Sequence, residues 1–347
     1  MTPLSLRIDL KFAILGLFLI FGLMLLATRG PLLWDAAGLA LADSVTAAPL
    51  TAWGECQQAH QTGRALLLAG SYDAALPYLH TAVTCDKSRW AWFDLGRAQY
   101  ALGQDVAAAQ SWQKADAYGY AARLATQAGQ REDWAEAQRG WQTAVQIDPQ
   151  QGQAYVQLGR LLQESDPEQA RQFYEQALAV NADFAPAYYA LASLHLRQFQ
   201  SAADALPYFE QAHRLAPQNI EYLVVLARQM GGVDPAQAMV YWQELADLAE
   251  RQRPLAYLEM GRLMLRQGEA ATAVQYLQMA LELRPENAEF WQGLAQAYEA
   301  AGCPAEAQEA YEQVLILQPD SPAAQNAKER LAELGLGVGE CSVIGDR

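Results

Sequence analysis

The sequence predicts an all-α protein in which about eight helical hairpins stack one after another, preceded by a single amino-terminal membrane helix. Three observations predict this class. A helix-packing pattern recurs at intervals of 29 to 35 residues, a second helical pattern lies upstream of most occurrences, and a long uncharged apolar segment lies near the amino terminus. Arrays of this kind bury their core between neighbouring hairpins rather than inside one globule.

The recurring pattern is a small residue, a bulky residue four positions later and a third apolar residue seven positions later. Offsets of four and seven lie on one face of a helix, so each occurrence indicates a packing stripe. The residues expected to pack between repeats are Ala75, Ala108, Trp112, Ala137, Trp141, Ala170, Tyr174, Ala205, Ala238, Trp242, Ala273, Ala307 and Tyr311.

The upstream pattern, an aromatic residue followed by Leu-Gly, is clearest at 92–96 and 155–159. Glycines such as Gly103 separate the two patterns, and prolines such as Pro149 follow the second, where a helix ends. Each unit therefore reads as two antiparallel helices. These residues resemble the tetratricopeptide repeat, whose units have about 34 residues. The resemblance implies a right-handed superhelical solenoid, here with repeats over 55–321 and a capping helix over 322–335. The second unit is about five residues short of that length.

The amino-terminal segment 12–27 contains no charged residue, and the stretch 10–29 is long enough to approach the ~30 Å hydrocarbon core of a bilayer. We expect an uncleaved anchor over 10–29, with 1–9 as a tail, 30–54 as a juxtamembrane linker and 336–347 as a flexible tail. Positive charges before the segment predict a cytoplasmic amino terminus and extracytoplasmic repeats. The alternative is a signal peptide, with the protein secreted after cleavage.

Composition argues against several function classes. The formal charge is −15 and lysines occur at four positions, which disfavours nucleic acid as a partner. The four histidines show no metal-ligand spacing, and neither a phosphate-binding glycine loop nor a nucleophile elbow occurs. We therefore expect no metal site, no cofactor, no catalytic residue and no enzyme activity.

The resemblance also implies a concave groove lined by the first helix of each repeat. The residues it places in this groove include Arg64, Phe93, Arg97, Tyr100, Arg160, Tyr189 and Arg262. Guanidinium groups bind carboxylates in a bidentate manner, so the pattern favours an acidic helix or tail of a partner protein. The alternative is that these arginines are simply polar residues on a solvated helix face.

The four cysteines have a possible pairing once the repeats are aligned. Cys56 begins the first helix of the first repeat and Cys85 ends its second helix, so the two ends lie side by side in an antiparallel pair. Cys303 and Cys341 form the other possible pair. Two disulfides would indicate an oxidising compartment, whereas free thiols would fit the cytosol.

Together these features favour a non-catalytic scaffold that binds one or more proteins and holds them at the membrane. Two alternatives stay open. One is a structural subunit of a larger membrane complex. The other is an accessory protein that presents substrate to a separate envelope enzyme.

Overall fold

A computed structural model describes residues 52–85, 87–198 and 202–334 of the chain. Within these ranges it contains 17 α-helices, one short 3-10 turn at Glu250–Gln252 and no strand. The helices are α1 (Ala52–Leu68), α2 (Tyr72–Cys85), α3 (Arg89–Ala101), α4 (Asp105–Lys114), α5 (Tyr118–Gln130), α6 (Trp134–Ile147), α7 (Gly152–Leu162), α8 (Pro167–Val180), α9 (Ala185–Gln198), α10 (Ala202–Leu215), α11 (Ile220–Met230), α12 (Pro235–Leu248), α13 (Arg253–Arg266), α14 (Ala270–Leu283), α15 (Ala288–Ala300), α16 (Pro304–Leu317) and α17 (Pro322–Leu334).

Successive helices pair into eight hairpins, from α1–α2 to α15–α16, which we number repeats 1 to 8. The chain divides into two compact units whose boundary falls within α7, between Ala154 and Tyr155. In the first unit, the hairpins α1–α2, α3–α4 and α5–α6 each pack internally, and α3 also contacts α1 and α2. In the second unit, contacts run from α8 to α17 between consecutive helices.

The predicted packing stripes form the interior of both units. All thirteen residues expected to pack between repeats are buried, with exposed fractions of 0–7%. The residues that face them on the first helix of a hairpin are small because a larger side chain would collide with the ring. A Cβ on Gly159 would lie 2.3 Å from the Tyr174 ring, and one on Gly96 would lie 2.4 Å from Trp112. Glycine lets the two helices of a hairpin approach until the ring fills the space between them.

Repeat 2 is short because its second helix ends early. Helix α4 has ten residues, whereas the second helix of every other repeat has fourteen. The chain leaves α4 through Asp116, which adopts a left-handed conformation with φ of 51°. Asparagine and aspartate tolerate that region better than most residues. The early end brings the connection 115–117 close to the first turn of α3.

Helix α17 packs on α15 and α16 and buries Ala324 and Ala327 against them. Its polar side carries Arg330, whose guanidinium lies 3.0 Å from the Glu299 carboxylate. A helix with one apolar face and one charged face can end an array of hairpins, because it covers the last packing surface.

The predicted anchor at 10–29 lies outside the described residues, as do the tail 1–9, most of the linker 30–54 and the tail 336–347. Among the helices that the structure does describe, none combines the length and the apolar composition needed to cross a bilayer.

Candidate partner-binding surface

A buried carboxylate organises the first helices of repeats 1 and 2. Asp94 on α3 is 3% exposed. Its Oδ2 lies 3.1 Å from His60 Nε2 and 3.8 Å from Arg64 Nε, both on α1, and its Oδ1 lies 3.6 Å from Arg97 Nη1. We call His60, Arg64, Asp94 and Arg97 the Asp94 cluster.

The two arginines of the Asp94 cluster retain binding capacity. Their nitrogens lie beyond ordinary hydrogen-bond distance from Asp94, which is ~2.7–3.2 Å. The Arg64 side chain is 58% exposed and that of Arg97 is 31% exposed. Because two guanidinium groups face one carboxylate, positive charge is in excess. Their outward N–H groups can therefore donate to a carboxylate from outside the protein.

The position of Arg64 and Arg97 in their repeats predicts this surface, but it does not predict Asp94 or the contact of His60 with it. A signal was present. His60 and Arg64 are four residues apart, and Asp94 and Arg97 are three apart, so each pair lies on one helix face. What the spacing could not reveal is that the packing of α1 against α3 brings the two pairs together around one carboxylate.

Helices α3 and α5 and the connection 115–117 border an open pocket of about 280 Å³. We call it the α3–α5 pocket; its lining residues are Arg89, Trp90, Phe93, Ala115, Asp116, Ala117, Gly119, Tyr120 and Arg123. The Phe93 ring meets the rings of Trp90 and Tyr120 edge to face, with centroids 6.2 and 4.8 Å away. Phe93 is the one residue of this lining that is predicted from the sequence, because the pocket depends on where the short helix α4 ends.

Tyr100 corrects the predicted groove. It is 7% exposed, and its ring lies between Trp112, 5.2 Å away between centroids, and the guanidinium of Arg139, 3.9 Å from the ring centre. Burial raises the pKa of the Tyr100 hydroxyl. Tyr100 therefore belongs to the packing of repeats 2 and 3 and offers no surface to a partner.

Arg262 also departs from the prediction, because carboxylates of the protein already neutralise it. Its Nη2 lies 2.7 Å from Glu289 and its Nη1 lies 3.3 Å from Glu259. A partner carboxylate would have to displace these two. The expected cationic point in repeat 7 is therefore a local ion-pair network.

In the second unit, Arg160 lies near a group of tyrosines. Tyr189 and Tyr222 stack with centroids 4.6 Å apart, and the Tyr189 hydroxyl donates to Glu221 at 3.0 Å. Burial, together with that carboxylate, raises the pKa of Tyr189 to about 12, while the positive charge of Arg160 opposes the rise. Arg160 is exposed and sits on α7, so it presents a cation next to aromatic rings.

Cys56 and Cys85 are joined by a disulfide, with their Cα atoms 5.9 Å apart. It ties the start of α1 to the end of α2. Cys303 is also disulfide-bonded, and its predicted partner Cys341 lies outside the described residues. Across the described ranges, no cluster of three or more His, Cys, Asp or Glu side chains is arranged to hold a metal ion.

The Asp94 cluster gives a stability prediction. Replacing Arg64 and Arg97 together by Gln should lower the free energy of unfolding by about 1–3 kcal/mol, between the values for exposed and buried ion pairs. The reason is that Asp94 would stay buried with His60 as its remaining partner. Urea unfolding followed by circular dichroism measures the change.

Adding Asp94→Asn to that double variant is the matched control, because it removes the buried charge and keeps the shape. We expect it to recover at least half of the loss. A further loss would mean that the arginines do not act on Asp94.

Comparison with known proteins agrees with the observed helical hairpins. Residues 160–220 and 264–331 each match a family model described as tetratricopeptide repeat. These two segments of the chain match tetratricopeptide repeats. The two matched segments cover parts of repeats 4–6 and 7–8, and the hairpins α1–α2, α3–α4 and α5–α6 show the same two-helix arrangement.

The chain also resembles a curated protein, the cellulose synthase operon protein C of Xanthomonas axonopodis pv. citri (strain 306). The two are 31% identical over 208 residues, which is 58% of this chain and 12% of that protein. The chain thus spans a small fraction of that relative.

Among solved structures, similar ones include PilF of Pseudomonas aeruginosa, 23% identical with a TM-score of 0.48 over 62% of this chain and 97% of that chain. A second is PilW, a type IV pilus biogenesis factor, 18% identical with a TM-score of 0.49 over 61% and 98%. A third is YrrB, a tetratricopeptide protein with a peptide-binding site, 22% identical with a TM-score of 0.46 over 55% and 97%.

Proposed function

We propose that the chain is a non-catalytic scaffold that binds a carboxylate-bearing segment of a partner protein at the Asp94 cluster. The observation that carries this proposal is the pair of partly exposed arginines around one buried carboxylate, 3.6 and 3.8 Å from it. Asp94 holds both side chains on the same surface, so less side-chain entropy is lost when a partner binds. Bidentate carboxylate recognition is the interaction for which guanidinium groups are best suited.

The scaffold is proposed to act at a membrane, with its repeats on the extracytoplasmic side. The uncharged apolar segment 12–27 and the positive charges before it support this orientation. The disulfide between Cys56 and Cys85 supports an oxidising compartment for the repeats. A surface that binds a partner would then recruit that partner to the bilayer.

A second candidate function is an accessory role beside a separate envelope enzyme. The similarity of 208 residues to a protein named for a cellulose synthase operon favours it. In this role the repeats would hold the enzyme or its substrate, and the Asp94 cluster would still be the contact. A structural subunit of a larger membrane complex is the third candidate, and in that case the anchor segment would carry the interaction.

The test is copurification of partners with the full chain from detergent-solubilised membranes. The key variant combines Arg64→Gln, Arg97→Gln and Asp94→Asn, so that no buried charge is left without its partners. The control is Arg171→Gln, which removes an arginine on α8 that pairs with Glu168 and Glu175 of the same helix.

We expect the triple variant to lose the partner and the Arg171 variant to keep it. Recovery should also fall as salt is raised, because the contact is between exposed charges. A partner that stays bound to a correctly folded triple variant would place the interaction elsewhere. Copurification of an enzyme would favour the accessory role, and loss of the partner on removing residues 1–29 alone would favour the membrane-complex role.

A further inference from the structure

We propose that the α3–α5 pocket receives an aromatic side chain of the partner that lies next to a carboxylate. The inference rests on the proposed function, since it adds a second contact to the same bound segment. Phe93 lines the pocket and directly precedes Asp94 on α3. The pocket and the Asp94 cluster therefore share helix α3, and a segment laid across α3 can reach both.

The walls of the pocket suit an aromatic ring. Trp90 is 64% exposed, an unusually large exposed fraction for the largest side chain, and it stands at the pocket with Phe93 and Tyr120. The Phe93 ring already contacts the other two rings edge to face. A further ring can add to this arrangement with the same favourable geometry.

The rim of the pocket is cationic. Arg89 Nε donates to the carbonyl of Ala115 at 2.6 Å and its Nη2 donates to that of Asp116 at 3.1 Å, which fixes the guanidinium plane. Arg123 lies 5.3 Å from the Tyr120 ring centre. The one carboxylate of the lining, on Asp116, is 91% exposed and 3.7 Å from Arg89. Two cations against one exposed carboxylate favour an acidic group beside the ring.

The size of the pocket limits its occupant. A volume of about 280 Å³ lies at or below the lower end of small-molecule sites, which is ~300 Å³. It suits one side chain of a polypeptide rather than a cofactor. Since three aromatic rings and two arginines are typical of interface centres, we assign the occupant to a partner protein.

Gly119 offers a way to close the pocket without disturbing the fold. It lies in the first turn of α5 and lines the cavity, and a Cβ built on it would meet no atom within 4 Å. Leucine at this position would extend into the empty volume. Gly129 is the matched control, because it lies in the last turn of the same helix, outside the pocket, and its Cβ would also meet no atom within 4 Å.

The probe is 4-fluorophenylacetate, a ring joined to a carboxylate, with its binding to the full chain in detergent measured by fluorine NMR. We expect the unmodified chain and Gly129→Leu to bind it equally. Gly119→Leu should bind it about tenfold more weakly or not at all. The amine 4-fluorophenethylamine, with the same ring and the opposite charge, should bind more weakly than the acid to the unmodified chain. Equal binding of acid and amine, or of the acid to both leucine variants, would overturn the proposal.

Copurification then separates this inference from the proposed function. Gly119→Leu should reduce recovery of the partner, and Gly129→Leu should leave it unchanged. If Gly119→Leu loses the probe but keeps the partner, the pocket takes small aromatic acids only and the inference is wrong, while the scaffold proposal stands. If instead the triple variant at Arg64, Asp94 and Arg97 keeps the partner, the scaffold proposal fails whatever the pocket does.

Discussion

Leucine in place of Gly140 should separate α5 from α6 and lower the free energy of unfolding by about 3 kcal/mol or more, at the upper end of overpacking effects. A Cβ on Gly140 would lie 2.8 Å from the Cβ of Ala125, 3.0 Å from its Cα and 3.2 Å from its backbone nitrogen. Backbone atoms cannot rotate away as a side chain can. The whole helix must move, and the buried contacts of repeat 3 open with it.

A smaller substitution at the same position, Gly140→Ala, should also destabilise the protein. In an exposed helix, Gly→Ala stabilises by about 1 kcal/mol because alanine has the higher helix propensity. At Gly140 the collision with the Ala125 backbone should outweigh that gain, so Gly140→Ala should lower the melting temperature. Gly129→Ala, on α5 with no atom near its Cβ, should leave it unchanged or raise it. Melting curves followed at 222 nm test both, and a higher melting temperature for Gly140→Ala would contradict the packing argument.

Removal of the Cys56–Cys85 disulfide should have the second large effect. The bond closes a loop with a sequence separation of 29, and the chain-entropy model gives roughly 3–4 kcal/mol for a loop of that length. Because it joins the start of α1 to the end of α2, the loss should fall on repeat 1. Replacing both cysteines by serine should increase hydrogen exchange of the α1 amides by roughly 100- to 1000-fold.

The effect should be local, because each hairpin of an array contacts mainly its neighbours. Amides of α13 and α14 in the second unit serve as the internal reference. Cys303→Ser is the matched variant, since it removes a disulfide-bonded cysteine in repeat 8, far along the chain from α1. Unchanged protection of α1 in the double serine variant would show that packing of α1 on α3 holds repeat 1 without the bond. A general rise in exchange, in α13 and α14 as well, would contradict the nearest-neighbour account.

The repeat architecture was predictable to a large extent because the residue pattern of each hairpin lies within one short stretch of sequence. Ala75, Ala108 and Ala273 were chosen from spacing alone, and each is 0% exposed. The shortness of repeat 2 was also visible in the sequence. Its consequence was not, since nothing in the spacing indicates that an early end of α4 opens a pocket between Phe93 and Tyr120.

The predicted binding residues differ in whether they are accessible to a partner, and their neighbours in the structure explain the difference. Position within the repeat placed Arg64 and Arg97 on a shared surface, but the same rule selected Tyr100, which Trp112 and Arg139 bury. It also selected Arg262, which Glu289 and Glu259 neutralise. A position in a repeat specifies a helix face, but the residues that the face meets come from other helices.

The sequence by itself determined the helical class, the number and rough bounds of the hairpins and the small residues on which they stack. These follow from helical periodicity and side-chain size, which act within some tens of residues. The tertiary structure alone decided that Asp94 gathers His60, Arg64 and Arg97 and that the α3–α5 pocket exists. Both depend on distances between side chains that are about 30 residues apart along the chain, and such distances are fixed only when one hairpin packs against the next.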